Sequence, residues 1–320
     1  MKMILPYTLL VALLSLVGAG RLGSQTTTFQ MTSSPPTVNY LDVNDSVQLA
    51  YTDEGEAREG TLLFIHGLGS NLQAWNKTVA GLGNRFRCVA IDLPGYGNSG
   101  QGEYSFTMSF YANQVDAFVQ KMGLPPLILV GHSMGGQIAL ELASRQPEWL
   151  ERLVLVAPAG LESFSDRDRQ FFATYVRPEI IQSLSPEQIE ANFDLNFHGG
   201  TPDDARFMID DRMTLREDTA AYPYYASLIA GSVAGMLAGP VDQKLDRVEV
   251  PTLIVFGRDD QLIPNRVLHP QLTLEEVGRA AKEGIAEVRI EYLDDAGHFV
   301  QWDRAEEFNR LLADFAAGGN

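Results

Sequence analysis

The stretch "LILVGHSMGGQIALEL", Leu127 to Leu142, runs from a short apolar segment into a helix-like one and places a single serine between glycines at the junction. The apolar run has the length of a buried strand, and Ile138, Leu142 and Arg145 follow at helical spacing. A strand that passes at once into a helix through Gly131, His132, Ser133, Met134 and Gly135 forces the serine into a tight turn, where the glycines keep side chains out of its way. Ser133 then stands at the carboxyl edge of the sheet, the edge at which open α/β sheets bind ligands. The amide of Met134, at the helix start, points into the same space and can stabilise a developing negative charge.

The same alternation extends along the chain. Thr61–Gly67, Phe86–Asp92, Pro126–Gly131, Arg152–Ala159, Thr252–Gly257 and Val288–Asp294 read as strands, with helices at Leu72–Leu82, Met108–Met122 and Glu306–Phe315. This order predicts an α/β fold, a mostly parallel central sheet with helices on both faces. Between Leu161 and Pro240 aromatic-rich helical segments interrupt it, with "SPEQ" (Ser185–Gln188) and "TPDD" (Thr201–Asp204) as helix starts. The core is therefore assigned to residues 38–160 and 241–320, and a helical cap insertion to residues 161–240.

A serine hydroxyl is protonated at neutral pH, so a reactive Ser133 requires a base, and the base an orienting acid. "LDDAGHFVQW" puts His298 in a loop after the last strand, and "VFGRDDQLIP" puts Asp259 and Asp260 just beyond the strand before it. The order Ser, Asp, His suits a nucleophile on a strand-to-helix turn. Nothing local separates Asp259 from Asp260. A second oxyanion donor is expected from the glycine-rich turn "HGLGSN", at the backbone N–H of Leu68, with His66 fixing that loop through a hydrogen bond. His132 reads as structural, and His198 and His269 as surface or cap residues.

Composition narrows the partners. The 24 Lys+Arg against 41 Asp+Glu give a formal charge of -17, which repels nucleic acid and anionic membrane surfaces, so no nucleic-acid partner is expected. Cys88 is the only cysteine and lies in an apolar run, which excludes an internal disulfide. The five histidines lack zinc-type spacing with one another, so neither a metal nor a cofactor is expected. The first residues, "MKMILPYTLLVALLSLVGAG", combine Lys2, an apolar core of roughly 14 residues, and small residues at Val17 and Ala19. Residues 1–19 thus read as a secretory signal peptide, or else as an uncleaved membrane anchor, and residues 20–37 as a flexible linker. The location expected is secreted or periplasmic, with membrane tethering as the alternative.

With "FIHGLGSN", "DLPGYGNS", "GHSMGG", "FGRDDQLIP" and "DAGHFVQW" in order, the chain resembles the α/β-hydrolase superfamily over roughly Val38 to Ala316. The resemblance implies the α/β-hydrolase fold with a helical cap between the sixth and seventh core strands, and maps the acid onto Asp260, three residues after Gly257. Relatives with an aspartate nucleophile are disfavoured by Ser133, and carbon–carbon bond hydrolases usually carry Asn where this chain has His132. "GHSMGG" is common among esterases and lipases. The implied activity is hydrolysis of a small carboxylic ester with an apolar part, through Ser133, His298 and Asp260, with Leu68 and Met134 as oxyanion donors. The alternatives are a carbon–carbon bond hydrolase of the same fold and an inactive binding protein. The segment Asn265–Glu287 is longer than the usual link between acid and base.

Overall fold

A computed structural model describes residues 36–319, so the apolar N-terminal segment and most of the linker lie outside the described residues. Eight strands form one sheet: β1 (Asn39–Asn44), β2 (Val47–Glu54), β3 (Thr61–Ile65), β4 (Arg87–Ile91), β5 (Leu127–His132), β6 (Leu150–Val156), β7 (Thr252–Gly257) and β8 (Val288–Leu293). Their spatial order is β1-β2-β4-β3-β5-β6-β7-β8. β2 runs antiparallel to both β1 and β4, and every other pairing is parallel. Six mutually parallel strands, β3 to β8, therefore end at one edge, and the loops leaving them meet there.

Helices cover both faces because the strands are apolar on both sides. Leu63, Val89, Leu129, Leu155 and Phe256 join one core, shared with α2 (Met108–Met122), α3 (Met134–Ala143) and α9 (Leu274–Gly284). The alternate residues Phe64, Cys88, Val130, Val154 and Val255 join the other, shared with α1 (Asn76–Leu82), α10 (Val300–Asp303) and α11 (Ala305–Ala316). The side-chain period of two along each strand divides these sets. Cys88 is buried in β4, and burial pushes its thiol up to about 12.

Between β6 and β7 lie five helices: α4 (Asp166–Tyr175), α5 (Pro178–Gln182), α6 (Pro186–Asp194), α7 (Arg206–Glu217) and α8 (Ala221–Ala238). Ser185 begins α6 with a capping box, its side chain accepting from Gln188 N while the Gln188 side chain accepts from Ser185 N. Thr201 does not act in this way. Residues Asp203–Ala205 form a single 3₁₀ turn with no side-chain cap, and Thr201 Oγ1 is buried without a partner. Two further sequence boundaries shift. Leu72–Leu82 divides into a 3₁₀ turn, Leu72–Trp75, and α1, while Arg145 lies beyond the end of α3. The long segment after Asp260 contains α9, which starts at a capping box of Thr273 and Glu276. Among the described residues no helix is long and apolar enough to cross a membrane.

The glycines flanking Ser133 are required by close approach. A Cβ at Gly135 would stand 2.5 Å from the Ile65 carbonyl oxygen and 2.6 Å from that of His66, and a Cβ at Gly131 would collide with the Gly135 backbone. Both obstacles are backbone, which cannot swing aside. Gly135→Ala is expected to destabilise the fold by about 1–3 kcal/mol, the usual range for overpacking a filled site. Urea denaturation of the variant against the parent chain measures this, and an unchanged midpoint contradicts the steric argument.

Candidate active site

Every residue from Leu127 to Ala143 is buried except Ser133. Its backbone adopts φ +54° and ψ -117°, a left-handed conformation disfavoured for a residue with a Cβ. The turn is held by surrounding bonds: Ser133 N donates to Val156 O at 2.9 Å, and Ser133 O accepts from Gly136 N and Ala159 N at 2.9 and 3.0 Å. The hydroxyl is thereby presented beyond the end of β5.

Asp260 and His298 follow β7 and β8 and come together. His298 Nδ1 and Asp260 Oδ2 are 2.8 Å apart, with the two side chains 4% and 0% exposed. The other carboxylate oxygen of Asp260 accepts from Leu262 N and Ile263 N at 2.8 and 3.0 Å. These donors hold the carboxylate in place, and its remaining oxygen accepts from His298 Nδ1–H and so orients the imidazole. Nε2 is left free to accept a proton. Asp259, the neighbouring alternative, is half-exposed and meets His198 Nδ1 at 2.8 Å instead.

Ser133 and His298 line one cavity of about 480 Å³, together with Leu68 and the apolar side chains of Phe164, Phe172 and Met236 from the helical insertion. Among the described residues Ser133 Oγ makes no hydrogen bond, so the serine and imidazole share the cavity without a closed contact. The N–H groups of Leu68 and Met134 likewise have no acceptor among the described residues. Leu68 lines the cavity and Met134 directly follows Ser133, and two free N–H donors so placed suit an oxyanion. A second hollow of about 670 Å³, lined by Leu68, Tyr225 and Arg212, adjoins the first through Leu68, Asn196 and Phe299.

The remaining histidines support this arrangement. His66 is buried; its Nδ1–H donates to Gly67 O at 2.8 Å, and its Nε2 accepts from Leu93 N at 3.0 Å. The Gly67 carbonyl belongs to the same peptide group as the Leu68 N–H, so His66 fixes the plane of that donor. Burial lowers the His66 pKa to about 4 and keeps the ring neutral, as its accepting role demands. His132 Nε2–H donates to the His298 carbonyl at 3.0 Å, and burial followed by the nearby His298 ring holds its pKa well below the usual value. His198 is exposed, whereas His269 is partly buried, bonded to Glu162 and stacked on Phe164.

Several contributing residues were given no role by the sequence. Asp92 is buried at the end of β4, accepting from Leu72 N and Asn98 N at 2.7 and 2.8 Å, and burial raises its pKa to about 6. It pins the turn after the Leu68 loop; it opens the "DLPGYGNS" motif at a strand end, but neither signal showed which amides it holds. Asp303 accepts from Gly297 N and His198 N, both at 2.8 Å, and anchors the loop before His298 to the insertion. The sequence–distance between such partners hides them from local reading. In the second hollow, Arg212 donates to Gly69 O.

His66 yields a pH prediction. Its folded pKa lies below the unfolded value, so the unfolded chain binds the extra proton first, and the stability this residue provides is lost as pH falls below about 6.5 towards 4. The penalty of His66→Gln should therefore shrink by about 2 kcal/mol between pH 7 and pH 5. Urea unfolding of both proteins at the two pH values measures it; a pH-independent difference would contradict a neutral, buried ring.

Comparison with known proteins places the chain in a family. A model of the alpha/beta hydrolase family matches residues 62–311. The chain is 26% identical over 294 residues to the monoacylglycerol lipase of Homo sapiens, covering 88% of this chain and 82% of that one. It is also 26% identical over 288 residues to a 2-hydroxy-6-oxononadienedioate/2-hydroxy-6-oxononatrienedioate hydrolase of Paraburkholderia phymatum, covering 87% and 94%. Among solved structures, a probable hydrolytic enzyme of Pseudomonas aeruginosa PAO1 superposes with a TM-score of 0.77 at 24% identity, covering 89% of this chain and 96% of the other. An esterase of Exiguobacterium antarcticum gives 0.72 at 20% identity, covering 88% and 99%. The matched span takes in β3 through most of α11, and on that ground the chain belongs to the alpha/beta hydrolase family.

Proposed function

We propose that the chain is a serine hydrolase of carboxylic esters, with Ser133 as nucleophile, His298 as base and Asp260 as the orienting acid. The observation that carries this reading is the buried His298–Asp260 contact in a cavity that Ser133 also lines, beside two unpaired amide donors. In this reading Ser133 Oγ meets His298 Nε2 once a substrate is seated. Oγ then attacks the ester carbonyl as its proton passes to Nε2, and the N–H groups of Leu68 and Met134 hold the oxyanion. Collapse breaks the carbon–oxygen bond, and the alcohol leaves with the proton from Nε2. A water, deprotonated by the same nitrogen, attacks the acyl-enzyme; the acid departs and Ser133 recovers its proton. No cofactor or metal enters these steps.

The apolar cavity wall supports an apolar acyl part, and the insertion that supplies Phe164, Phe172 and Met236 is read as a cap over the site. Export, or tethering through residues 1–19, would place the reaction outside the cytoplasm; this rests on the N-terminal pattern alone. The second reading, carbon–carbon bond hydrolysis, draws on the similarity to the Paraburkholderia phymatum protein. It predicts faster turnover of a coloured dienolate than of p-nitrophenyl esters.

A fluorophosphonate probe should label the wild-type chain, and Ser133→Ala should abolish labelling and reduce ester turnover by at least about a thousandfold. An unlabelled wild type would support the inactive binding protein. Asp260→Asn should cost at least about a hundredfold in kcat, whereas Asp259→Asn should stay within about threefold. Equal losses at both positions would contradict the assigned acid.

A further inference from the structure

We propose that Arg212, on α7 of the helical insertion, is a positioning residue for the oxyanion donor at Leu68; this rests on the ester-hydrolase reading above. Its Nη2 donates to the carbonyl oxygen of Gly69, the residue after Leu68. The guanidinium carbon lies 4.0 Å from the centroid of the Tyr225 ring and 5.5 Å from that of Phe193. Among the described residues it forms no ion pair with a carboxylate. An arginine gives up extensive rotamer freedom when fixed, and this one is fixed by two aromatic faces while its charge is directed at a peptide carbonyl.

The loop receives that contact under tight confinement. Gly69 has φ +65°, and a Cβ there would stand 3.0 Å from Tyr225 Oη and 3.5 Å from Arg212 Nη2. On its other side the Gly67 carbonyl accepts from His66 Nδ1 at 2.8 Å and from Ser70 N at 3.3 Å. The peptide before Leu68 is thus held from the core and the peptide after Gly69 from the insertion. Between them the Leu68 N–H keeps one direction. A charge-assisted bond to a carbonyl is stronger than a neutral one, so Arg212 restrains the loop more firmly than a neutral donor in its place.

An oxyanion donor acts on the charge that develops in the transition state and much less on the substrate carbonyl. Deleting such a donor costs about 10²–10³ in kcat, so loosening one should cost about tenfold to a hundredfold, with KM nearly unchanged. The experiment is steady-state hydrolysis of a p-nitrophenyl ester, together with fluorophosphonate labelling rates, by wild type, Arg212→Lys, Arg212→Gln and Arg212→Met, each checked for folding by its melting curve. The expected order of kcat is wild type, Lys, Gln, Met, with Met reduced about tenfold or more and KM within about threefold throughout. If the Met variant does not fold, the Lys and Gln variants carry the comparison. A rise in KM at constant kcat would overturn the proposal and make Arg212 a substrate-binding group. Equal kcat across the series, or a Lys variant no better than Gln, would also overturn it. A wild type that neither turns over esters nor takes the probe overturns the ester-hydrolase reading and this proposal together.

Discussion

The first turn of α3 lies so close to the end of β3 that only hydrogen fits at position 135, and the geometry of the site is set from that contact. The approach brings the Met134 N–H beside the loop that carries Leu68. It also locks Ser133 into a left-handed backbone, whose cost is met by the bonds to Val156, Gly136 and Ala159. The parallel strands then fix the rest: β7 and β8 end at the same edge, so Asp260 and His298 need only short loops to face each other.

The helical insertion grips three of the loops that border the cavity. Arg212 reaches the loop after β3 through Gly69. Asn196 O accepts from Phe299 N at 2.9 Å, and the Asp303 carboxylate ties His198 N to Gly297 N, so the loop after β8 is held on both sides of His298. The Glu162 carboxylate accepts from Asn265 N and bonds His269, steadying the segment that continues from Asp260. A rearrangement of the insertion would therefore be felt at the donor, the base and the acid, as well as in the apolar wall that faces the substrate.

The strand-to-helix turn, the parallel sheet and the two carboxyl-edge loops were legible because each is written in contiguous residues: an apolar run, a glycine pair, a polar residue at the boundary. Choosing Asp260 over Asp259 needed a family pattern, since both follow one strand and only the folded loop shows which carboxylate turns inward. His66 was readable as a loop anchor from its place before the glycines. Arg212, Asp92, Asp303 and the Glu162–His269 pair were not. Each acts on a partner distant in the chain or across a turn, and a charged residue without that partner in view resembles any solvated one. Thr201 shows the converse: a hydroxyl and a proline in capping order do precede a helical stretch, a 3₁₀ turn that runs straight into α7, yet the hydroxyl makes no cap bond.

The lone thiol of Cys88 faces the core from β4, flanked by β2 and β3. With its proton held so firmly by burial, it offers no thiolate to an oxidant or alkylating reagent while the sheet is closed. Two copies of the native chain consequently have no sulfur through which to cross-link, even in an oxidising compartment. The same atom becomes reactive when the strands around it part, which makes it a built-in reporter of sheet opening.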